Sequence, residues 1–189
     1  MKSLEHASFP DMAERINALY SEEQDALLIA MLGQEYIVRH DGVFLHGQKA
    51  PDGHATVVLD YLFSPGIELT VLPWRAIGDF SGPASPDFRK RAELPMAQYV
   101  AEVITRAKAL LPLFDATVSP SLIGSDMAMI VRALPKVYLR VEMSQETQDF
   151  PAEVWILFSN NAHEFLSIQG MQTLAEVFKD RLLSLLRIY

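Results

Sequence analysis

An α+β fold, with a mostly antiparallel sheet of about four to six strands packed by amphipathic helices, is what this 189-residue sequence predicts. Three observations carry that expectation. From Lys136 to Leu166, two β-rich apolar runs flank an acidic loop. Between Glu35 and Gly47, alternating residues surround Asp41-Gly42, a pair suited to a tight hairpin turn. At both ends of the chain and in its middle, apolar residues recur at three- and four-residue steps, as helices packed on one face require.

The chain is long enough to bury one sizeable core, so one domain spanning 1–189 is expected. Half of its residues are hydrophobic and 21% are charged, which points away from disorder. A formal net charge of -8 without a basic stripe disfavours nucleic acid as a partner, because phosphate binding needs clustered Lys and Arg. Cysteine is absent, which excludes disulfides, thiolate nucleophiles and Cys-type metal or cluster ligation. The N-terminus lacks the apolar core of a secretory signal, and no window reaches the length of a bilayer span. A cytoplasmic protein with no membrane partner is therefore expected.

Taken in order, Met12, Ile16, Leu19 and Tyr20 share a helical face, with Asp11 near the positive end of the dipole. Ser21 and Gln24 have capping-box spacing, which predicts a second helix closed by Gly33 and burying Leu27, Ala30 and Met31. The hairpin follows. Pairing His40 with Val43 sets Tyr36, Val38, Val43 and Leu45 on one face, and His40 and His46 on opposite faces. That geometry speaks against a metal site built from the two histidines.

Val57, Val58, Tyr61 and Leu62 suggest a helix over Thr56 to Phe63, stopped by Pro65-Gly66. Ile67 to Leu72 alternates like a strand that Pro73 ends, and Gly78 to Arg91 is a long irregular loop. Pro95 opens a long helix through Leu111, which Pro112 ends. Ser125 is positioned to cap a short helix through Ala133, terminated by Pro135.

Next come the two runs that anchor the prediction. In the first, Val137, Leu139 and Val141 alternate with a wetter face of Tyr138, Arg140 and Glu142. The second, Val154 to Phe158, is apolar on both sides and reads as a central strand covered on each face. Met171 to Ile188 forms the closing helix, with Lys179, Arg181 and Arg187 toward its negative end.

The run TVVLDYLF, the later Trp74, GSDMAM leading to LPKVYLRV, and DFPAEVWILFSNNAHEFL before the closing helix resemble a domain family of bacteria and archaea that is common in anaerobes. What the resemblance implies is an accessory or ligand-binding domain without an established activity. Some relatives are attached to iron-sulfur modules, a role that a cysteine-free chain does not carry over.

Site residues are sought where regular structure gives way to loops. Trp74, Arg75 and Asp79 lie at a predicted strand end, where Trp74 could also be a core lid. Ser125 and Asp126 open a predicted helix, where capping alone would explain them. These five are the candidate ligand-binding residues. The loop acids Glu142, Glu146, Asp149 and Glu153 lack the pattern of a calcium loop, and no metal or cofactor is expected.

None of the glycine-rich, G-x-S-x-G or H-E-x-x-H fingerprints occurs. The leading expectation is thus a non-catalytic domain that binds a small ligand or a protein partner. Its alternative is a hydrolase or transferase using Asp60 and Asp126 with His163, which requires the three to converge in one cleft. Oligomeric state and ligand identity are left open by the sequence.

Overall fold

A computed structural model describes residues 4–66, 68–81 and 86–188. It has the expected α+β architecture, with the strands divided between two antiparallel sheets. Helix α1 (Phe9–Ile16) leads into a five-stranded meander, β1 (Leu19–Ser21), β2 (Ala26–Met31), β3 (Gln34–Arg39), β4 (Gly42–Leu45) and β5 (Gln48–Lys49). Helix α2 (Asp52–Leu62) follows, then short α3 (Gly78–Ser81) and α4 (Pro86–Phe88), a π-helical turn (Arg89–Glu93), α5 (Leu94–Ala97) and α6 (Val100–Leu110). A 3-10 turn (Leu111–Phe114) enters the second sheet, β6 (Ala116–Ser119), β7 (Met127–Leu134), β8 (Val137–Ser144) and β9 (Glu153–Phe158). Helices α7 (Ala162–Phe165) and α8 (Ile168–Ile188) complete the chain.

One continuous core joins both sheets. Leu27, Ile29 and Met31 of β2 and Tyr36 and Val38 of β3 meet the inner row of the second sheet, including Val131, Leu139, Val141 and Ile156. The Leu32 amide donates to the Ala133 carbonyl at 2.9 Å, tying the β2–β3 turn to β7. Helix α8 packs along α2 and contributes Leu174, Phe178 and Leu182 to the same core.

Several expectations are overturned, the two central ones by hairpin pairing with the strands next in sequence. Residues 21–33 are a hairpin, and β2 is paired on both sides, Leu28 with Leu19 and with Ile37. A short apolar run such as Ala26–Met31 fits either period, and pairing with the strands immediately before and after it decided for strand. Gly33 closes no helix. At φ 73° it turns β2 into β3, and a Cβ there would stand 2.2 Å from the Leu113 carbonyl oxygen.

Ser125 caps no helix, because Met127–Leu134 is strand β7, which lies between β6 and β8. Val154–Phe158 is strand, but it is the margin of the second sheet and not its centre; β7 and β8 hold the centre. Its outer edge is nevertheless occupied. Arg75 and Phe158 exchange backbone hydrogen bonds of 2.9 and 2.8 Å, and the Glu93 carboxylate accepts the Ile156 amide at 2.9 Å. Such blunting keeps an edge strand from templating other chains.

The β3–β4 hairpin forms, with a register two residues from the expected one: Val38 faces Val43 and Tyr36 faces Leu45. Positive φ falls on Gly42, at 146°, so the turn residues are His40 and Asp41. Because the slip is even, the faces are those expected. Helix α1 ends earlier than expected, at Asn17 in the left-handed region, and Tyr20 belongs to β1. Residues 68–72 form no strand, although the Thr70 and Val71 carbonyls accept the Asn161 and Asn160 amides; Ile67 lies outside the described residues. The expected 78–91 loop is partly helical, with residues 82–85 outside the described ones. Helix α2, the α5–α6 region and α8 lie where apolar periodicity placed helices.

Candidate functional site

The outward face of the second sheet carries the most unusual chemistry in the molecule. Register sets Ile130, Arg140 and Leu157 side by side across β7, β8 and β9, with Ala128, Glu142 and Trp155 in the next row. Arg140 and Glu142 alternate with Leu139, Val141 and Met143 on β8, so both point away from the core. They are buried all the same: Arg140 is 2% exposed and Glu142 0%. The expected wetter face of β8 is therefore a covered ion pair.

The cover is the segment from Ser119 to Ser125. Arg140 Nε donates to Glu142 Oε1 at 2.7 Å, Nη1 donates to Ser119 Oγ at 3.1 Å, and Nη2 donates to the Pro120 carbonyl. Glu142 also accepts from the Ser121 hydroxyl at 2.7 Å, the Leu122 amide at 3.0 Å and the Ser125 hydroxyl. Burial alone would raise the Glu142 pKa, but the bonds from Ser125, Leu122, Ser121 and Arg140 outweigh it and hold the carboxyl below its ordinary value. Each side chain of the pair is thus hydrogen-bonded, as a buried charge must be.

Above this pair runs an open trough of about 860 Å³. Its floor is Ile130, Arg140 and Leu157. One wall is Leu72, Pro73 and Trp74, and the other is Ser119, Pro120, Leu122 and Ile123. The floor is part of a rigid sheet, whereas the walls are loops whose apolar side chains face solvent. Leu72 is 65% exposed, Leu122 61% and Ile123 56%. Clustered exposure of that kind marks interaction surfaces more often than singly scattered apolar residues do.

The five residues proposed from sequence are dispersed around this feature. Trp74 lines the trough, and Ser125 lies beneath its wall as a donor to Glu142. Arg75 faces Asp79: its guanidinium donates to the Asp79 carbonyl and covers the Phe80 ring, while the Asp79 carboxylate accepts the Ala76 amide at 2.8 Å. Asp126 accepts the Gln145 amide at 2.8 Å. Arg140, Glu142, Leu122 and Ile123 were missed. The available signal was an arginine and a glutamate two apart on an apolar strand, which puts opposite charges on one face.

The carboxylate and histidine group of the enzymatic alternative is engaged in separate local structure. Asp60 Oδ2 accepts the Ser167 amide at 2.7 Å and its hydroxyl at 2.6 Å, immediately before α8. His163 Nδ1 lies 3.0 Å from the Asn160 carbonyl, with the ring against Phe80. No hydrogen bond among the described residues joins Asp60, Asp126 and His163 to one another.

Two other polar features stand apart. The Tyr36 hydroxyl, its pKa pushed up to about 12 by burial, lies 2.6 Å from His54 Nδ1 in a hydrogen bond that links the first sheet to α2. Glu93, raised by burial, lines a smaller pocket of about 210 Å³ beside Trp155. Among the described residues, no group of three or more potential ligands could hold a metal ion, and no helix is long and apolar enough to cross a membrane.

No curated protein and no solved structure matches the chain. Residues 8–181 match the family described as Domain of unknown function (DUF3786), and on that match the chain belongs to the DUF3786 family.

Proposed function

We propose that this domain is a non-catalytic binding module whose working surface is the trough over Arg140. The observation that carries the reading is the combination of a sheet floor with exposed walls: Leu72, Leu122 and Ile123 stand in solvent around Arg140, which is buried in a salt bridge with Glu142. Apolar groups are left in water at a cost of roughly 25 cal/mol per Å², which covering them recovers. A few fixed polar groups within an apolar concavity are what orient a ligand. The reading assumes a reducing cytoplasm, consistent with a chain that has no cysteine.

The test is binding of the uncharged, polarity-sensitive dye Nile red to the native protein. Leu122→Asp with Ile123→Asp places two charges on one wall, at exposed positions where folding should tolerate them. Dye fluorescence should fall to background while the melting temperature stays within a few degrees. Equal fluorescence from the wild type and this variant would reject the trough as the binding surface.

A further inference from the structure

The pocket of about 210 Å³ at the outer edge of β9 shares Leu157 with the trough but otherwise has different walls. Phe88, Arg89 and Glu93 come from the π-helical side, and Trp155, Ile156 and Leu157 from the strand. Arg89 and Glu93 are four residues apart, so the turn presents both to β9. Arg89 donates to Glu153 at 2.6 Å, and Glu93 Oε1 accepts the Ile156 amide at 2.9 Å.

Glu93 is a buried acid with little to hold its charge. It is 8% exposed, and the Ile156 amide is its one hydrogen-bond partner among the described residues. The nearby cations are committed elsewhere: Arg89 to Glu153, and Arg91 to Glu176 of α8 at 3.1 Å. Among the described residues, the side-chain atoms sealed from solvent without a partner are Ser64 Oγ, Asn161 Oδ1 and Arg181 Nε. Glu93 Oε2, also without a partner, therefore keeps accessible surface, and the space that Glu93 lines is the pocket. Burial holds this carboxyl above its ordinary value, against the opposing effects of the Ile156 amide and Arg89.

Ile156 adds a second acceptor. Phe158 turns both its N–H and its C=O to the outer edge, toward Arg75, and backbone groups two residues apart on a strand point the same way. The Ile156 carbonyl thus faces the same edge as its amide, beside Glu93, while its side chain packs in the core.

These acceptors select the ligand. An anion would be repelled by an ionised Glu93, and a neutral molecule would leave the desolvated charge unpaired. A hard metal ion needs several oxygen ligands, and among the described residues no group of three or more acids and histidines is present to supply them. An ammonium ion brings the counterion together with three N–H donors. Ile77 and Leu157 suit an apolar body, and aromatic rings such as those of Phe88 and Trp155 attract cations. The volume lies below the range of about 300–1,000 Å³ usual for larger ligands, which limits that body to about one ring. The net charge of -8 favours approach of a cation.

We propose that this pocket is a second binding site, independent of the trough, for a small primary ammonium ion with a ring-sized apolar body. Glu93 and the Ile156 carbonyl accept the ammonium N–H groups, and Phe88 and Trp155 contact the body.

Benzylamine is the probe, with benzyl alcohol as its uncharged counterpart and benzoate as an anionic one, each titrated into the nitrogen-15-labelled full chain. Benzylamine should shift the Trp155 indole and Ile156 amide resonances and leave those of Trp74 and Leu122 in place. It should bind about tenfold or more tightly than benzyl alcohol. Glu93→Gln keeps an acceptor for the Ile156 amide and should weaken benzylamine about tenfold or more, with benzyl alcohol unaffected. The wild type supplies a readout that needs no variant. Cation binding requires an ionised Glu93, whose folded value lies above 4.5, so benzylamine affinity should fall at least about twofold from about pH 7.5 to pH 4.5.

Absence of any shift with benzylamine would overturn the site. Equal affinity for benzyl alcohol, or tighter binding of benzoate, would overturn the ammonium ligand. Shifts centred on Trp74 and Leu122 would overturn the location and assign the amine to the trough. Unchanged affinity in E93Q, or in the wild type between the two pH values, would overturn the role of Glu93.

Discussion

Replacing Glu142 by alanine tests the central physical claim about this sheet face. Four donors converge on that carboxylate: Arg140 Nε, the Ser121 and Ser125 hydroxyls and the Leu122 amide. With Glu142 gone, a guanidinium that is 2% exposed has no counterion. Breaking a buried pair from one side costs about 3–5 kcal/mol. The orphaned Leu122 amide adds about 1 kcal/mol, offset in part because the open trough admits water. An overall loss of about 4 kcal/mol is expected, a fall in melting temperature of roughly 8–16 °C for a chain of this size.

Urea unfolding followed by tryptophan fluorescence is a suitable assay, since Trp155 lies opposite Glu142 and Trp74 lines the trough. R140M/E142M should recover most of the loss, because removing both charges also removes their desolvation. The pH dependence has a definite sign. The Glu142 carboxyl is held below its ordinary value of 4.5, so its contribution is full above that pH and declines as pH falls through the lower folded-state value. The gap between wild type and E142A should be constant from about pH 7 to pH 5 and shrink below about 4.5. A loss under about 1 kcal/mol at pH 7, or a gap that does not change with acid, would refute the buried-pair account.

Three further perturbations follow from the same geometry. Gly33→Ala places a Cβ 2.2 Å from the Leu113 carbonyl oxygen in a left-handed turn and should cost at least about 2 kcal/mol in chemical denaturation. Gly170→Ala should be harmful in the wild type, where the new Cβ would meet Asp60 Oδ2 at 2.2 Å, and milder in an Asp60→Ala background, a coupling that a double-mutant cycle measures. His40 should titrate above its ordinary 6.5: Nδ1 faces the Leu4 carbonyl at 2.7 Å and Nε2 the Asp25 carboxylate at 3.1 Å, so the imidazolium alone donates to both. Its contribution to stability is then present below 6.5 and lost as pH rises through the higher folded value; an NMR midpoint at or below 6.5 would refute this.

The helices were legible because their signal is local. In α2, Val57, Val58, Tyr61 and Leu62 fall on one face within two turns, and they are the residues buried. Hairpin faces were legible for a similar reason, since an even slip in register leaves alternation intact. The failures are at Ala26–Met31 and Met127–Leu134, where plausible capping residues precede short apolar runs. Both became inner strands, each paired on both sides with the neighbouring strands of its own meander, which the capping signals did not reveal. Of the five proposed site residues, Trp74 reached the trough and Ser125 its supporting bonds. Arg75, Asp79 and Asp126 serve neighbouring loops.

The sequence by itself determined the fold class, the positions of α2, the α5–α6 region and α8, and the exclusion of thiol chemistry, because periodicity and composition act over a few residues or over none in particular. Tertiary structure alone decided which strands are central and which face of β8 is covered. Arg140 and Glu142 read as members of a wetter strand face until the Ser119 to Ser125 segment folds over them. Burial depends on what arrives from elsewhere in the chain, and a strand carries no local record of it.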